Sequence, residues 1–330
     1  MAVRTRDPDV LASAVLDGDR TALPRLLSVV EGGGEAARAV GRRVYTQTKG
    51  GYTVGITGPP GAGKSTLTDR LIGSLRGGGA EVAVLAVDPS SPYSGGALLG
   101  DRVRMMDHAL DPGVFVRSMA TRGHLGGLAL AVPEAVRVLD AAGFPTVLVE
   151  TVGVGQSEVE IAGAADTTMV VLTPGAGDGV QASKAGLLEV ADIFVINKAD
   201  HPQVAELERD LSFMMDLATW PNGWRPPIVR TIAVKGDGVG DVLAAIEAHR
   251  AHLSGGTGPS GLSLLEERRA ARALSELRRV LAALLDRHVK DAVGESRYQQ
   301  LMDEVAARRV DPWTAADEIL RGVTGSGRDR

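Results

Sequence analysis

Between residues 50 and 252, short runs of continuously apolar residues alternate with stretches in which apolar residues return every third or fourth position. The runs Thr53–Thr57, Val82–Val87, Val114–Arg117, Thr146–Glu150, Thr168–Thr173, Ile193–Asn197 and Val229–Val234 read as strands. A strand that is apolar at successive positions is buried on both faces, the condition of a mostly parallel sheet covered by helices. The run at Thr53, the helical pattern after residue 64 and the run at Val82 form one βαβ unit. Its right-handed crossover makes the two strands parallel. The fold class is therefore α/β.

The flanks read as helices. Val10, Leu11, Ala14, Val15 and then Leu23, Leu26, Leu27, Val30 recur at helical spacing. A break at Glu31–Gly34 precedes a second helix from Glu35 to about Thr46. At the other end, Ser254–Gly261 has the composition of a linker. Beyond it, Leu264, Ala271, Leu274, Leu277, Leu281, Leu284 and His288 follow the three–four spacing of a coiled-coil seam. A break near Gly294 precedes a helix with Leu301, Met302 and Val305. Asp311 then caps a last short helix that opens on Pro312. The tail from Gly322 is expected to be disordered. The chain thus divides into an N-terminal helical segment at 1–48, a central domain at 49–253 and a C-terminal helical arm at 262–321. The leucine seam points to a homodimer held partly by residues after 261, with the helix folding back on its own central domain as the alternative.

Composition narrows the partners. The 330 residues are 44% hydrophobic, and the formal net charge of -5 argues against a nucleic-acid surface. The absence of cysteine excludes disulfides, thiolate metal sites and cysteine nucleophiles. Residues 1–11 hold no apolar stretch like a signal peptide, and no run is long enough to cross a bilayer. A cytoplasmic protein with no membrane partner is expected. Six lysines stand against thirty arginines, so a lysine marks a place where charge alone was not enough.

Gly58, Pro59, Pro60, Gly61, Ala62, Gly63, Lys64 and Ser65, followed by Thr66, match GxxxxGK[ST] between an apolar strand and a helical pattern. That is the context of a phosphate-binding P-loop. Backbone N–H groups wrap the phosphates, Lys64 reaches the β- and γ-phosphates, and the Ser65 hydroxyl binds Mg²⁺. Asn197-Lys198-Ala199-Asp200 closes another apolar run in the pattern that reads guanine. The Asp200 carboxylate accepts from guanine N1–H and the 2-amino group, donors that adenine lacks. Lys198 covers the base, and Asn197 ties this loop to the P-loop. Ala233 and Val234, at the end of the next run, sit where a backbone N–H meets guanine O6. GTP and GDP are thus the expected ligands.

Asp88 ends the run at Val82, and Glu150 ends the run at Thr146. Both carboxylates are placed for Mg²⁺, and Asp101 is a third candidate at the end of a glycine-rich loop. Gly153 occupies the γ-phosphate-sensing position, with Glu150 in place of the usual Asp. The first glutamine afterwards is Gln156, a candidate for orienting water. The candidate catalytic set is Lys64, Asp88, Glu150 and Gln156. The basic segment from Arg117 to Gly127 reads as a loop facing phosphates or a partner. His249 and His252 share a helix face that reads as solvated rather than metal-binding.

The segments GPPGAGKST, VDPSSPYSGGALLGDRVRM, RSMATRGHLGGL, ETVGVGQSEVEI and TPGAGDGVQASKAGLLEVADIFVINKAD, with the helical C-terminus, resemble the MeaB/ArgK family of GTPase chaperones for cobalamin-dependent acyl-CoA mutases. The resemblance covers nearly the whole chain. It implies a P-loop G domain flanked by N-terminal helices and a C-terminal dimerisation arm. It also implies an adenosylcobalamin-dependent acyl-CoA mutase as partner, most often methylmalonyl-CoA mutase, with Asp178 and Lys184 as coupling residues. Three other readings stay open on the residues alone: a nickel-inserting GTPase, a small-molecule kinase, and an assembly factor with negligible hydrolysis.

Overall fold

The computed structural model of the chain describes residues 5, 7–89, 108, 110–121, 127–151, 163–175, 189–220 and 222–325. Two compact units emerge, 1–272 and 273–330.

The first unit is built on a seven-stranded parallel sheet: β1 (Tyr52–Thr57), β2 (Val82–Pro89), β3 (Val114–Thr121), β4 (Thr146–Thr151), β5 (Thr167–Leu172), β6 (Ile193–Ile196) and β7 (Ile228–Arg230). Their order across the sheet is β3-β2-β4-β1-β5-β6-β7. The first two strands are parallel as expected, but they are not neighbours. Strand β4 lies between them, pairing Ile56 with Glu150 on one side and Glu150 with Ala86 on the other.

Alternate residues face opposite layers. Ala83, Leu85 and Val87 of β2 join Val147 and Val149 of β4 in one core. Helices α1 (Pro8–Leu16), α2 (Leu23–Gly32), α3 (Gly34–Val44) and α5 (Gly127–Ala141) cover it. Val82, Val84, Val54, Ile56, Met169 and Val171 face the other core, under α4 (Lys64–Gly77) and α7 (Val239–Gly255). Between them in sequence, α6 (Val204–Leu217) packs Leu211 and Met215 against Val170, Leu172 and Phe194. The N-terminal helices are thus part of the same core as the sheet, because their buried stripe of Leu11, Val15, Leu23, Leu26 and Leu27 has the sheet face as its partner.

Helix α8 (Leu264–Val293) begins in the first unit and continues into the second, where α9 (Glu295–Ala306) and α10 (Pro312–Gly325) follow. Asp311 caps α10 through the N–H groups of Trp313 and Thr314. The helix runs past Gly322, so the expected disordered tail does not begin there. The linker-like segment also proves structured. Gly258 N–H donates to Leu262 O at 2.8 Å, and Ser260 N–H donates to Glu267 Oε1 at 2.7 Å.

The root of α8 is fastened to the sheet's N-terminal edge. Asp166, just before β5, accepts from Arg269 Nε at 3.0 Å and Nη2 at 2.8 Å, from Arg272, and from Thr53 N–H at 3.0 Å. Asp192, just before β6, accepts from both terminal nitrogens of Arg268 at 2.9 and 2.7 Å and from Thr168 N–H at 2.7 Å. Burial pushes the Asp166 carboxyl upward, but the Arg269 hydrogen bonds and the Arg272 and Arg269 charges outweigh it and hold the carboxyl below its usual range.

Candidate functional site

The C-terminal ends of β1, β4 and β6 converge on one edge of the sheet, where open α/β sheets bind ligands. From β1 the chain turns through Gly58–Gly63 into α4. A Cβ on Gly58, at φ 134°, would lie 2.0 Å from the carbonyl oxygen of Val171 in β5. One on Gly63, at φ 86°, would lie 2.3 Å from Asn197 Nδ2. Only glycine lets the loop press this closely on its neighbours. The buried Lys64 donates through Nζ to Gly58 O at 2.8 Å and to Pro59 O at 3.0 Å, so its ammonium is held within its own loop.

Ser65, in the first turn of α4, donates from Oγ to Glu150 Oε1 at 2.6 Å. Glu150 is 2% exposed near the end of β4. Thr151 beside it donates to Thr57 Oγ1 at 3.1 Å, which joins the ends of β4 and β1. A hydroxyl and a carboxylate in contact at a helix N-terminus form a hard oxygen donor set that suits Mg²⁺. The backbone of Asp88 lies at the same edge, paired with Ala120 of β3. Its side chain, together with Asp101, Gly153, Gln156, Asp178 and Lys184, lies outside the described residues.

Asn197, just after β6, is buried and joins three segments. Its Nδ2 donates to Ala62 O at 2.8 Å, and its Oδ1 accepts from Ala233 N–H and Thr231 Oγ1, both at 3.1 Å. Lys198 adopts φ 56°, the left-handed region that costs a side-chain-bearing residue about 1 kcal/mol or more, and donates from Nζ to Gly61 O at 2.9 Å. Asp200 is half-exposed, with Lys235 Nζ 3.8 Å away. The last strand is shorter than its apolar run. It ends at Arg230, so Ala233 and the exposed Val234 belong to a turn. That turn is held from below by Arg70 of α4, which donates to Ala233 O at 3.2 Å and Val234 O at 3.1 Å.

Two residues of this constellation escape sequence reasoning. Arg70 is an ordinary helix position in an arginine-rich chain. Lys235 carries a signal, being one of only six lysines. Two expectations need correction. Arg117 is no phosphate-facing loop residue, since β3 extends through it to Thr121. Its guanidinium donates to Pro24 O, Ser28 Oγ and Glu31 Oε2, at 3.0, 3.0 and 2.8 Å, and so docks α2 onto the sheet. The His249/His252 face is not solvated at His249, which is 1% exposed. Its Nδ1 lies 2.8 Å from Thr167 Oγ1, which lies 2.6 Å from Tyr52 Oη. Burial lowers the His249 pKa to about 4 and pushes the Tyr52 hydroxyl up to about 12.

The family model for the methylmalonyl-CoA mutase-associated GTPase MeaB matches residues 23–294. A protein of Pyrococcus abyssi named as a GTPase is 46% identical over 97% of this chain and 98% of its own. The GTPase ArgK of Escherichia coli is 42% identical over 58% of this chain and 60% of its own. Among solved structures, one described as a LAO/AO transport system kinase superposes with a TM-score of 0.73 at 24% identity, covering 98% of this chain and all of that one. That likeness is one of fold.

Proposed function

The chain belongs to the MeaB family of methylmalonyl-CoA mutase-associated GTPases, and from that premise we propose that this P-loop GTPase is a nucleotide-switched chaperone for an adenosylcobalamin-dependent acyl-CoA mutase, methylmalonyl-CoA mutase first among them. The observation that carries the nucleotide reading is Asn197, whose one side chain bonds both the phosphate-loop carbonyl of Ala62 and the Ala233 N–H. Phosphate loop and base loop are thereby set at a fixed separation before any ligand arrives, the preorganisation that selective binding requires.

Each residue then has a role. Gly58–Gly63 and the N-terminus of α4 receive the phosphates, and Lys64 supplies the cation. Ser65 and Glu150 would hold Mg²⁺, joined in this reading by Asp88 and Asp101. Asp200 reads the guanine edge, Lys198 covers the base, and Ala233 N–H faces O6. Water cleaves the phosphoanhydride of bound GTP, where a bound Mg²⁺ would offset the charge that builds. Gln156 orients that water, and Asp178 and Lys184 couple nucleotide state to the partner.

The arm supports a homodimer. Leu274, Leu277, Leu281 and Leu285 are each more than half exposed, an apolar stripe that a second copy would cover.

The test is GTP turnover with and without purified adenosylcobalamin-dependent mutases of the source organism. Intrinsic turnover is expected to be slow, and partner-supplied groups can raise such rates by about 10³- to 10⁵-fold. Unchanged turnover with every such mutase would overturn the chaperone reading and leave the GTPase standing.

A further inference from the structure

At the edge of the sheet opposite the phosphate loop, the first unit contains a cavity of about 690 Å³. That volume lies within the 300–1,000 Å³ of small-molecule sites. Its walls are the segment Glu189–Asp192 before β6, the connection between α6 and β7 with Trp220 and Trp224, the end of α7 with His249 and His252, and the root of α8.

The aromatic wall is rigid. Trp224 Nε1–H donates to Asp192 O at 2.8 Å. The Trp224 ring lies against His249, with centroids 4.8 Å apart, and against His252 at 5.2 Å. His252 Nε2 in turn meets Asn222 O at 3.0 Å. These contacts hold the Trp224 ring against its neighbours.

The charges of the lining separate into spent and unspent. Among the described residues of the lining, Arg268 is the one lysine or arginine, and both its terminal nitrogens are taken by Asp192. Burial keeps the His249 ring neutral near pH 7. Glu189 and Glu267 are left. Glu267 accepts from Ser260, and among the described residues no lysine or arginine pairs with either carboxylate. Aromatic faces beside uncompensated carboxylates are the chemistry that recognises organic cations, through ring quadrupoles and direct ion pairing.

We propose that this cavity is a second ligand site, separate from the nucleotide site, that takes a small organic cation with an ammonium or guanidinium head. Such a ligand touches Glu267 and the flank of the Asp192–Arg268 pair, so occupancy stiffens the root of α8.

The test uses the full chain carrying Trp313→Phe, which leaves Trp220 and Trp224 as the only fluorophores of that type. Agmatine and choline are titrated at constant ionic strength, with 3,3-dimethylbutanol as the uncharged counterpart of choline. Saturable quenching is expected for one or both cations, at least about tenfold weaker for the alcohol, with no competition from GTP. Glu189→Gln and, separately, Trp220→Leu are each expected to weaken binding by about three- to tenfold, the range of one exposed cation–π or ion-pair contact. Circular dichroism and GTP affinity serve as controls for folding. No saturation by 10 mM cation, equal binding of the alcohol, displacement by GTP, or affinity unchanged in both folded variants would each overturn the proposal.

Discussion

Ser65 Oγ and Glu150 Oε1 meet at 2.6 Å, so the first turn of the P-loop helix is bonded directly to the end of β4. Both are hard oxygen donors, and Glu150 stands on the strand that leads into the 152–162 segment. Glu150→Gln keeps the size and the hydrogen bond but removes the charge. GTP affinity is expected to hold within about threefold while single-turnover hydrolysis falls by about 10- to 100-fold, the usual effect of altering a group that supports a metal. Titrating Mg²⁺ during the assay checks the cause, because the variant should need more metal to reach its plateau.

In the proposed reading, base choice rests on Asp200. Asp200→Asn turns an acceptor into a partial donor, so the variant is expected to lose GTP and gain xanthosine triphosphate. Sites that read a base by buried polar pairs discriminate by up to about 10⁴-fold. Lys235 lies 3.8 Å from Asp200, and both side chains are exposed. Lys235→Ala is therefore expected to change GTP affinity only about two- to fivefold, a surface ion pair being worth little. Competition titrations with both nucleotides decide the matter.

Acid should weaken the fold through His249. Its pKa falls from 6.5 to about 4 because burial penalises the imidazolium. The unfolded chain binds more protons than the native one between those values, so stability is full above about pH 6.5 and declines as pH falls toward 4. The loss amounts to about 3 kcal/mol. Urea midpoints measured across that window should drop for the wild type and stay flatter for His249→Gln. Equal slopes would show that His249 is not the group responsible.

The arm's apolar stripe gives an assembly test. Leu277 and Leu281 are 61% and 52% exposed. Replacing both by Glu in the full chain is expected to halve the mass seen by light scattering and leave nucleotide affinity alone. A mass unaffected by the substitutions would place any self-association elsewhere.

Local features were legible in the sequence, and distant ones were not. The P-loop announced itself because Gly58–Ser65 are contiguous and their neighbours are a strand and a helix. Asn197–Asp200 closes an apolar run for the same reason. The insertion of β4 between β1 and β2 depends on the whole sheet, and nothing near Thr57 or Val82 encodes it. The clamp on Asp166 joins residues 103 and 106 positions apart. Arg268, Arg269 and Arg272 look like any exposed helix arginines until the sheet edge is in place. His249 misled for a related reason. Helical spacing places His249 beside Ala245, Ile246 and Leu253 as well as His252, and it does not reveal that Tyr52, Thr167 and Asp192 wait beneath.

Those arginine clamps bear on how the chain is made. Synthesis runs from the N-terminus, and domains fold as they emerge, at about 5–20 residues per second. The pairs at the root of α8 span 76 to 106 residues, so Asp166 and Asp192 leave the ribosome roughly 4–20 s before their cations. For that interval the nascent sheet carries two carboxylates, at the starts of β5 and β6, with no arginine to meet them. Leaving a buried carboxylate unmatched costs about 3–5 kcal/mol. Closing that edge of the sheet is therefore expected to be unfavourable until residues 268–272 arrive. A chain ended at Gly258 lacks all three clamping arginines, whereas one ended just after Arg272 keeps Arg268, Arg269 and Arg272.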